Sequence, residues 1–330
     1  MKITFRSEDF AELNFERQFS EGFAVSDHSG ISEMKSEFEY KGFHSKTHRI
    51  SCPGLIYSMI EGSLEQDLIQ ILESDFPYLQ MHFEFSTTGC LYYPDARFDI
   101  PTIIYGGSHS LLFYPALKGK LHYLKKPDSF SVEIELTLDF FRRLFNNDLE
   151  VLKTFGENIE KNLPAIMGNR SYPISSQMRQ ILMDIKNYPF TGSLKKLFVE
   201  AKVIELLTLQ IAQINEEENG KSNLKRVDID KLYEVKDLLI KNLNNPYSIE
   251  ELSRIAGINR TKLQNGFKEL FGTTVFGYLA DSRLEEARKL ILAGNHATIS
   301  EISGMIGYKN PQHFTAAFKR KYGYLPKDIM

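Results

Sequence analysis

Cysteine is scarce in this sequence: Cys52 and Cys90 are the only two among 330 residues. Two thiols cannot staple a fold of this length, so both are expected to be small core residues in a protein of the reducing cytoplasm. Long apolar runs are missing as well. No stretch approaches the ~20 residues of a membrane span, and Glu8, Asp9, Glu12 and Glu16 interrupt the first thirty residues, so no signal-peptide core is expected there. The phosphate-cradling Walker loop, the dinucleotide-binding glycine turn, the nucleophile elbow and paired catalytic cysteines are all absent. The expectation is a protein that is not an enzyme and has no cofactor and no bound metal.

A net charge of −3 argues at first against a nucleic-acid partner. Its distribution reverses that reading. Residues 228–330 hold 15 Lys and Arg against 12 Asp and Glu, a net of +3, which leaves −6 for the remainder. The sign over the last hundred residues is the one DNA binding needs. With 42% hydrophobic and 25% charged residues, the length predicts two globular domains, each with its own core.

What is present is a module that occurs twice. Ser248, Glu251, Leu252 and Gly257 recur 50 residues later as Thr298, Glu301, Ile302 and Gly307. Leu263, Phe267, Phe271 and Gly272 recur 51 residues later as Phe314, Phe318, Tyr322 and Gly323, so the second copy has gained one residue in its turn. Ser248 with Glu251, and Thr298 with Glu301, have capping-box spacing. Gly257 and Gly307 mark the end of a first helix, because glycine tolerates the left-handed backbone found there. Asn259 and Asn310 are good N-caps, and Pro311 suits a first helical position. The apolar stripe of each second helix repeats every four residues and leaves the opposite face free. Two short helices about a tight glycine turn, the second with a free polar face, have the geometry that enters a major groove. Between the copies, Thr274 to Ala293 carries Phe276, Leu279, Ala280, Ala287, Leu290 and Ile291 on one face and ends at Gly294. Such a connector would be roughly 30 Å long, close to the ~34 Å between successive major grooves on one side of B-DNA.

These residues carry a resemblance. Ile255-Ala256-Gly257, the run Leu263 to Lys268, Arg283 to Ala287, and Ile306-Gly307-Tyr308 followed by Phe314 to Lys319 resemble the DNA-binding domain of the AraC/XylS family of bacterial transcription regulators. The resemblance implies two recognition helices, about 260–271 and 311–322, in adjacent major grooves of promoter DNA, with RNA polymerase as a further partner. In the first helix Arg260, Thr261, Gln264, Asn265 and Lys268 lie opposite the stripe. Gln and Asn can pair bidentately with adenine, while Arg and Lys read guanine or hold phosphate. By position Thr261, Gln264 and Asn265 match the family's base-contacting residues, and Lys268 is read as a phosphate contact. In the second copy Asn310, Gln312, His313, Thr315 and Ala316 are outward, with Lys319 and Arg320 toward the DNA backbone. Ala316 stands where many relatives carry a long polar side chain, which implies weaker base reading. Gly266 inside a helix costs about 1 kcal/mol against alanine, and a close approach to a neighbour would explain it.

The expected fold is α+β. Up to about residue 140 the chain reads as strands: Leu79, Met81, Phe83 and Phe85 alternate with Gln80, His82, Glu84 and Ser86, and Val132, Ile134 and Leu136 alternate with Glu133, Glu135 and Thr137. Period-two patterns imply strands with one buried face. Further strands are predicted at 55–60, 103–105, 111–114 and 121–124, the spacing of a small barrel or sandwich. The family resemblance implies a cupin-like effector barrel. Helices are predicted from Phe140, over 175–187 and over 193–214, and polar 215–227 reads as a linker. The domains are therefore 1–214 for effector sensing and dimerisation and 228–330 for DNA. Residues ~100–215, with Tyr188 to Leu207 most distinctive, resemble PchR-like members of the family, regulators tied to siderophore and iron uptake. That resemblance implies an activator whose small-molecule effector is a ferric siderophore, with effector-binding residues unassigned. An alternative is a constitutive regulator whose N-terminal domain binds a protein. The stripe Val199, Val203, Leu206, Leu207 and Ile214 either packs on the strands or forms a homodimer seam through 193–214, or both. His44 and His48 have a spacing that binds metal on a helix but lie in a strand or loop. Lys118, Lys120, His122, Lys125 and Lys126 form a basic hairpin, either a solvated face or a docking point for an anionic effector.

Overall fold

The computed structural model describes residues 1–330 apart from 8, 9, 87, 88, 94–101, 117, 217–223, 225, 272, 293–297 and 330. The chain divides into two compact units, Met1–Lys221 and Ser222–Met330. The expected linker 215–227 and the helix stop at Gly294 fall largely outside the described residues.

The first unit contains β1 (Lys2–Ser7), β2 (Phe15–Gln18), β3 (Ser32–Tyr40), β4 (Phe43–Cys52), β5 (Leu55–Leu64), β6 (Leu68–Ser74), β7 (Tyr78–Glu84), β8 (Cys90–Tyr93), β9 (Thr102–Ile104), β10 (Ser108–Tyr114), β11 (Lys118–Tyr123) and β12 (Lys126–Thr137). Then follow α1 (Leu138–Leu144), α2 (Lys153–Glu160), the short β13 (Ala165–Ile166) and β14 (Tyr172–Pro173), α3 (Ser176–Asn187) and α4 (Gly192–Glu216). One sheet runs β2-β1-β6-β11-β8-β9, the other β13-β10-β7-β12-β5-β4-β3, with β14 also on β10. This corrects the expected barrel. Among the described residues no ladder joins the two sheets, so they face one another without closing. On one side the free edges β2 and β3 both line the space between the sheets, yet β3 pairs with β4 and β2 with β1.

Each strand of the larger sheet presents two different faces. Leu79, Met81, Phe83, Val132, Ile134 and Leu136 point to a core shared with α1 to α4. The expected stripe of α4, Val199 to Ile214, is wholly buried in that core, so its packing is against its own sheet. The large apolar residues α4 leaves outside are Leu194 and Leu197, each about two-thirds exposed, and the less exposed Ile204. The alternate residues of β7 and β12 were expected to be the wet face. Instead Gln80, His82, Glu84, Glu133 and Glu135 line the space between the sheets.

The second unit is helical: α5 (Arg226–Lys241), α6 (Ile249–Ala256), α7 (Arg260–Phe271), α8 (Val275–Leu292), α9 (Ile299–Met305) and α10 (Pro311–Tyr322). Both capping boxes form, with Ser248 and Thr298 each accepting from the backbone N–H three residues on. Gly257 and Gly307 are left-handed, at φ +61° and +84°. Leu263, Phe267, Phe314 and Phe318 are fully buried. α8 belongs to both motifs: Tyr278 packs edge-on against Phe267 and tilted against Phe271 of the first, while Leu284, Ala287 and Ile291 join Phe314 and Phe318 of the second. Its 18 residues span about 27 Å, slightly under the expected length, and Phe276 is half exposed rather than part of the buried face.

Candidate functional site

The outward face of α7 is built by the helix's own periodicity. With Leu263, Gly266, Phe267 and Leu270 turned inward, Arg260, Thr261, Gln264, Asn265 and Lys268 are all exposed. Asn259 accepts from the Lys262 N–H at 2.8 Å, fixing where the helix starts. Arg260 pairs with Glu250 at 2.7 Å, so its guanidinium is already held over the preceding helix. Gly266 is explained by packing: a Cβ there would lie 2.8 Å from Leu224 Cδ2 and 2.9 Å from Leu232 Cδ1. A glycine lets α7 sit this close to those leucines without their moving.

α10 presents its face less freely. Gln312, His313, Ala316, Lys319 and Arg320 are exposed, while Thr315 is half-buried and its hydroxyl donates to the Pro311 carbonyl at 2.9 Å. Asn310 serves as the N-cap, its Oδ1 accepting from the Gln312 N–H at 2.8 Å. Two of the five outward positions expected before the basic turn therefore have local work inside the helix. The motifs are tied together by Arg283 of α8, which donates to the Leu243 carbonyl at 2.7 Å and lies over the Tyr308 ring. A Cβ on Gly307 would come within 2.6 Å of that guanidinium and 2.8 Å of the Leu243 carbonyl, so the second turn is pressed against the strut.

The first unit offers a second site, whose residues the sequence left unassigned. A cavity of about 470 Å³ lies between the sheets, within the range of small-molecule pockets. Its mouth carries the exposed Phe15, Met34 and Phe38. Its interior is charged, with Arg17, Arg49 and Lys126 facing Glu84, Glu133 and Glu135. Arg17 pairs with Glu135 at 3.6 Å. Burial raises the Glu135 carboxyl to about 7, with Arg17 pulling the other way. Burial would also raise Glu84, but His82, Lys126 and Ser86 more than offset it and hold the carboxyl down at about 2. Lys126 reaches the cavity through a register irregularity. Lys126 pairs with Leu64 and Ser129 with Gly62, so one extra residue sits in β12. Such a bulge shifts the phase of a strand and puts Lys126 on the same face as Ser129, Ser131 and Glu133.

The basic hairpin divides between its two readings: Lys118, Lys120 and Lys125 are exposed as on a solvated face, while Lys126 is buried. Lys118 pairs with Glu73 at 2.5 Å and His122 lies 3.6 Å from Asp67, and of the five cations only Lys126 lines the cavity. His44 and His48 do not form a pair either. Four strand residues separate them by about 13 Å, and each is held by its own carboxylate on β3, Glu37 at 3.0 Å and Glu33 respectively. The donors the fold does assemble are His82, Glu84 and Cys90, all buried, with ligating atoms within 4.8 Å of one another. Nothing in local sequence gathers them, because Cys90 arrives from the opposite sheet.

Two family models match the chain. The helix-turn-helix domain family matches residues 252–330, and the family described as the regulatory protein PchR N-terminal domain matches residues 43–226. The regulatory protein PchR of Pseudomonas aeruginosa is 32% identical over 131 residues, 39% of this chain and 43% of that protein. The xylose operon regulatory protein of Escherichia coli K12 is 35% identical over 80 residues, 24% of this chain and 20% of that protein. The matched segments thus span less than half the length of either relative. An AraC-type regulator structure from Chromobacterium violaceum aligns with 32% of this chain and 93% of its own, at 25% identity and a TM-score of 0.30. Among the described residues no helix is long and apolar enough to cross a membrane. With more than half of its length matched by the PchR N-terminal domain and its last 79 residues by the helix-turn-helix domain, the chain belongs to the PchR-type branch of the AraC family of transcription regulators.

Proposed function

We propose that this chain is a ligand-responsive transcription activator that binds promoter DNA in a sequence-specific manner through α7 and α10. The observation that carries the reading is the pair of capped helix-turn-helices sharing α8, each with a polar outward face. Gln264 and Asn265 read bases from α7, and Lys268 holds phosphate. α10 contributes mainly backbone contacts through Lys319 and Arg320, because Thr315 bonds its own helix and Ala316 has nothing to donate. The effector occupies the cavity of the first unit. Its mixed charges and aromatic mouth suit a polar, ring-bearing small molecule, and a ferric siderophore is the class implied by the PchR-type resemblance. A homodimer through α4 would have to draw on Leu194, Leu197 and Ile204, since the inner stripe is already buried.

The test is fluorescence-anisotropy binding to the DNA upstream of this gene and its neighbours, at two salt concentrations, with and without a ferric-siderophore panel. Gln264→Ala is expected to lose about 1–3 kcal/mol of discrimination at one base pair. Lys268→Ala is expected to weaken all sequences alike and lower the salt slope by about one. Unchanged preference in Gln264→Ala would remove α7 from base reading. Selective binding untouched by every ligand would turn the first unit toward a protein partner.

A further inference from the structure

His82 and Glu84 project from β7 onto the cavity face, and Cys90 meets them from β8 of the facing sheet. His82 is 5% exposed, and its Nε2 makes no hydrogen bond, lying 3.8 Å from Glu84 Oε2. A buried imidazole nitrogen that faces a carboxylate across 3.8 Å without a hydrogen bond is incompletely satisfied unless something else engages it. Its other nitrogen, Nδ1, lies 3.9 Å from Glu133 Oε1. A carboxylate behind one imidazole nitrogen is the usual support of a histidine that ligates metal through the other. Glu84 is oriented in the same way. Its Oε1 accepts from the Ser86 backbone N–H at 3.0 Å and from the Ser86 hydroxyl, which leaves Oε2 toward His82.

We propose that His82, Glu84 and Cys90 form a binding site for a borderline divalent transition-metal ion, of the zinc, cobalt or ferrous type, at the floor of the cavity. One nitrogen, one oxygen and one sulfur donor select this class over magnesium or calcium, which take oxygen alone. Tetrahedral bonds of about 2.0–2.3 Å separate neighbouring donors by about 3.5 Å. The His82–Glu84 separation is already near that value, and the whole set lies within 4.8 Å. Binding requires Cys90 to lose its proton to solvent. The ion's two positive charges then balance the Glu84 carboxylate and the Cys90 thiolate, while Lys126 and Glu133 cancel one another beside it. Lys126 Nζ, 3.3 Å from both Glu84 Oε2 and Ser86 Oγ, can keep its Ser86 contact when the ion takes the carboxylate oxygen. Three protein donors leave the fourth position open to the cavity. The site stands on the first unit alone and does not depend on DNA binding.

The experiment uses the full chain, stripped by a chelator and titrated with Co²⁺, with Zn²⁺ as competitor. The expected result is one equivalent bound with a thiolate-to-cobalt charge-transfer absorption, and one proton released per ion. Cys90→Ser loses the absorption, Cys52→Ser keeps it, and Glu133→Gln keeps it with affinity about 10–100-fold weaker. A wild-type spectrum without thiolate ligation overturns the proposal, as does an absorption that survives Cys90→Ser. If Cys90→Ser does not fold, His82→Gln decides: affinity within about twofold of wild type would exclude His82 and with it the site. DNA binding, read in parallel on the metal-free chain, reports separately on the regulator reading.

Discussion

His109 is the ionisable group whose burial has the clearest thermodynamic consequence. It lies on the helix-facing side of β10, with Nε2–H donating to Gln213 Oε1 at 3.0 Å and Nδ1 accepting from Gln210 Nε2 at 2.9 Å. Both nitrogens of the neutral ring are thereby satisfied, and a second proton on Nδ1 would face the Gln210 amide hydrogens. Burial pushes the imidazole from its ordinary 6.5 down to about 4. The group's contribution to stability is therefore complete above pH 6.5 and is lost as pH falls toward 4, because only the unfolded chain takes up the proton in that window. Between pH 7 and pH 5 the loss is about 2 kcal/mol, or about 4–8 °C in the midpoint of a unit of this size. Glu135 acts in the opposite direction. Its carboxyl, raised by burial to about 7, adds stability as pH falls through that value, so the wild-type profile alone can look flat. The informative quantity is a difference. His109→Gln keeps an amide able to bond both glutamines and removes the titration. Urea denaturation of the first unit at pH 7 and pH 5 should show wild type losing about 2 kcal/mol more than the variant. If the two fall in parallel within about 0.5 kcal/mol, the burial argument for His109 is wrong.

Two further outcomes follow from the second unit. Gly266→Ala would ordinarily gain about 1 kcal/mol of helix propensity. The contacts with Leu224 and Leu232 should reverse the sign, to a net loss of up to about 2 kcal/mol; a thermal midpoint that rises would mean the leucines swing aside. Ser248→Ala and Thr298→Ala should each cost about 1 kcal/mol and add in the double variant, since they cap separate motifs. Calorimetry giving less than half that sum would show the capping boxes to be incidental.

How legible each part was in the sequence depends on how local its determinants are. The helix-turn-helix pair could be read because capping boxes, left-handed glycines and the Phe267 and Phe318 stripes are set within a few residues of chain. The strands could also be read, but not which of their faces was wet. Alternation in Leu79–Phe85 and Val132–Thr137 is the same whether the polar residues meet solvent or an enclosed cavity. That choice depends on a second sheet whose strands come from residues 2–18, 68–74, 90–93, 102–104 and 118–123. Lys126 was hidden for a different reason, since its direction depends on one extra residue in β12. Cys90 joins His82 and Glu84 only through the facing of the two sheets, and no spacing rule records that. The same non-local geometry left the barrel open where the resemblance implied closure.

α8 has a consequence for how such a protein can change over time. Under the proposed reading, the exposed side chains of α7 and α10 can be exchanged without touching a core, so the letters of an operator are free to drift. The separation between α7 and α10 is not. Adding one residue to α8 would advance the second motif by about 1.5 Å and rotate it by about 100°. Placed ahead of Arg283 it would break the contact with the Leu243 carbonyl, and placed between Leu284 and Ile291 it would pull Leu284 out of register with Phe314 and Phe318. Descendants of this chain should therefore diversify in which bases they prefer long before they diversify in how far apart those bases stand.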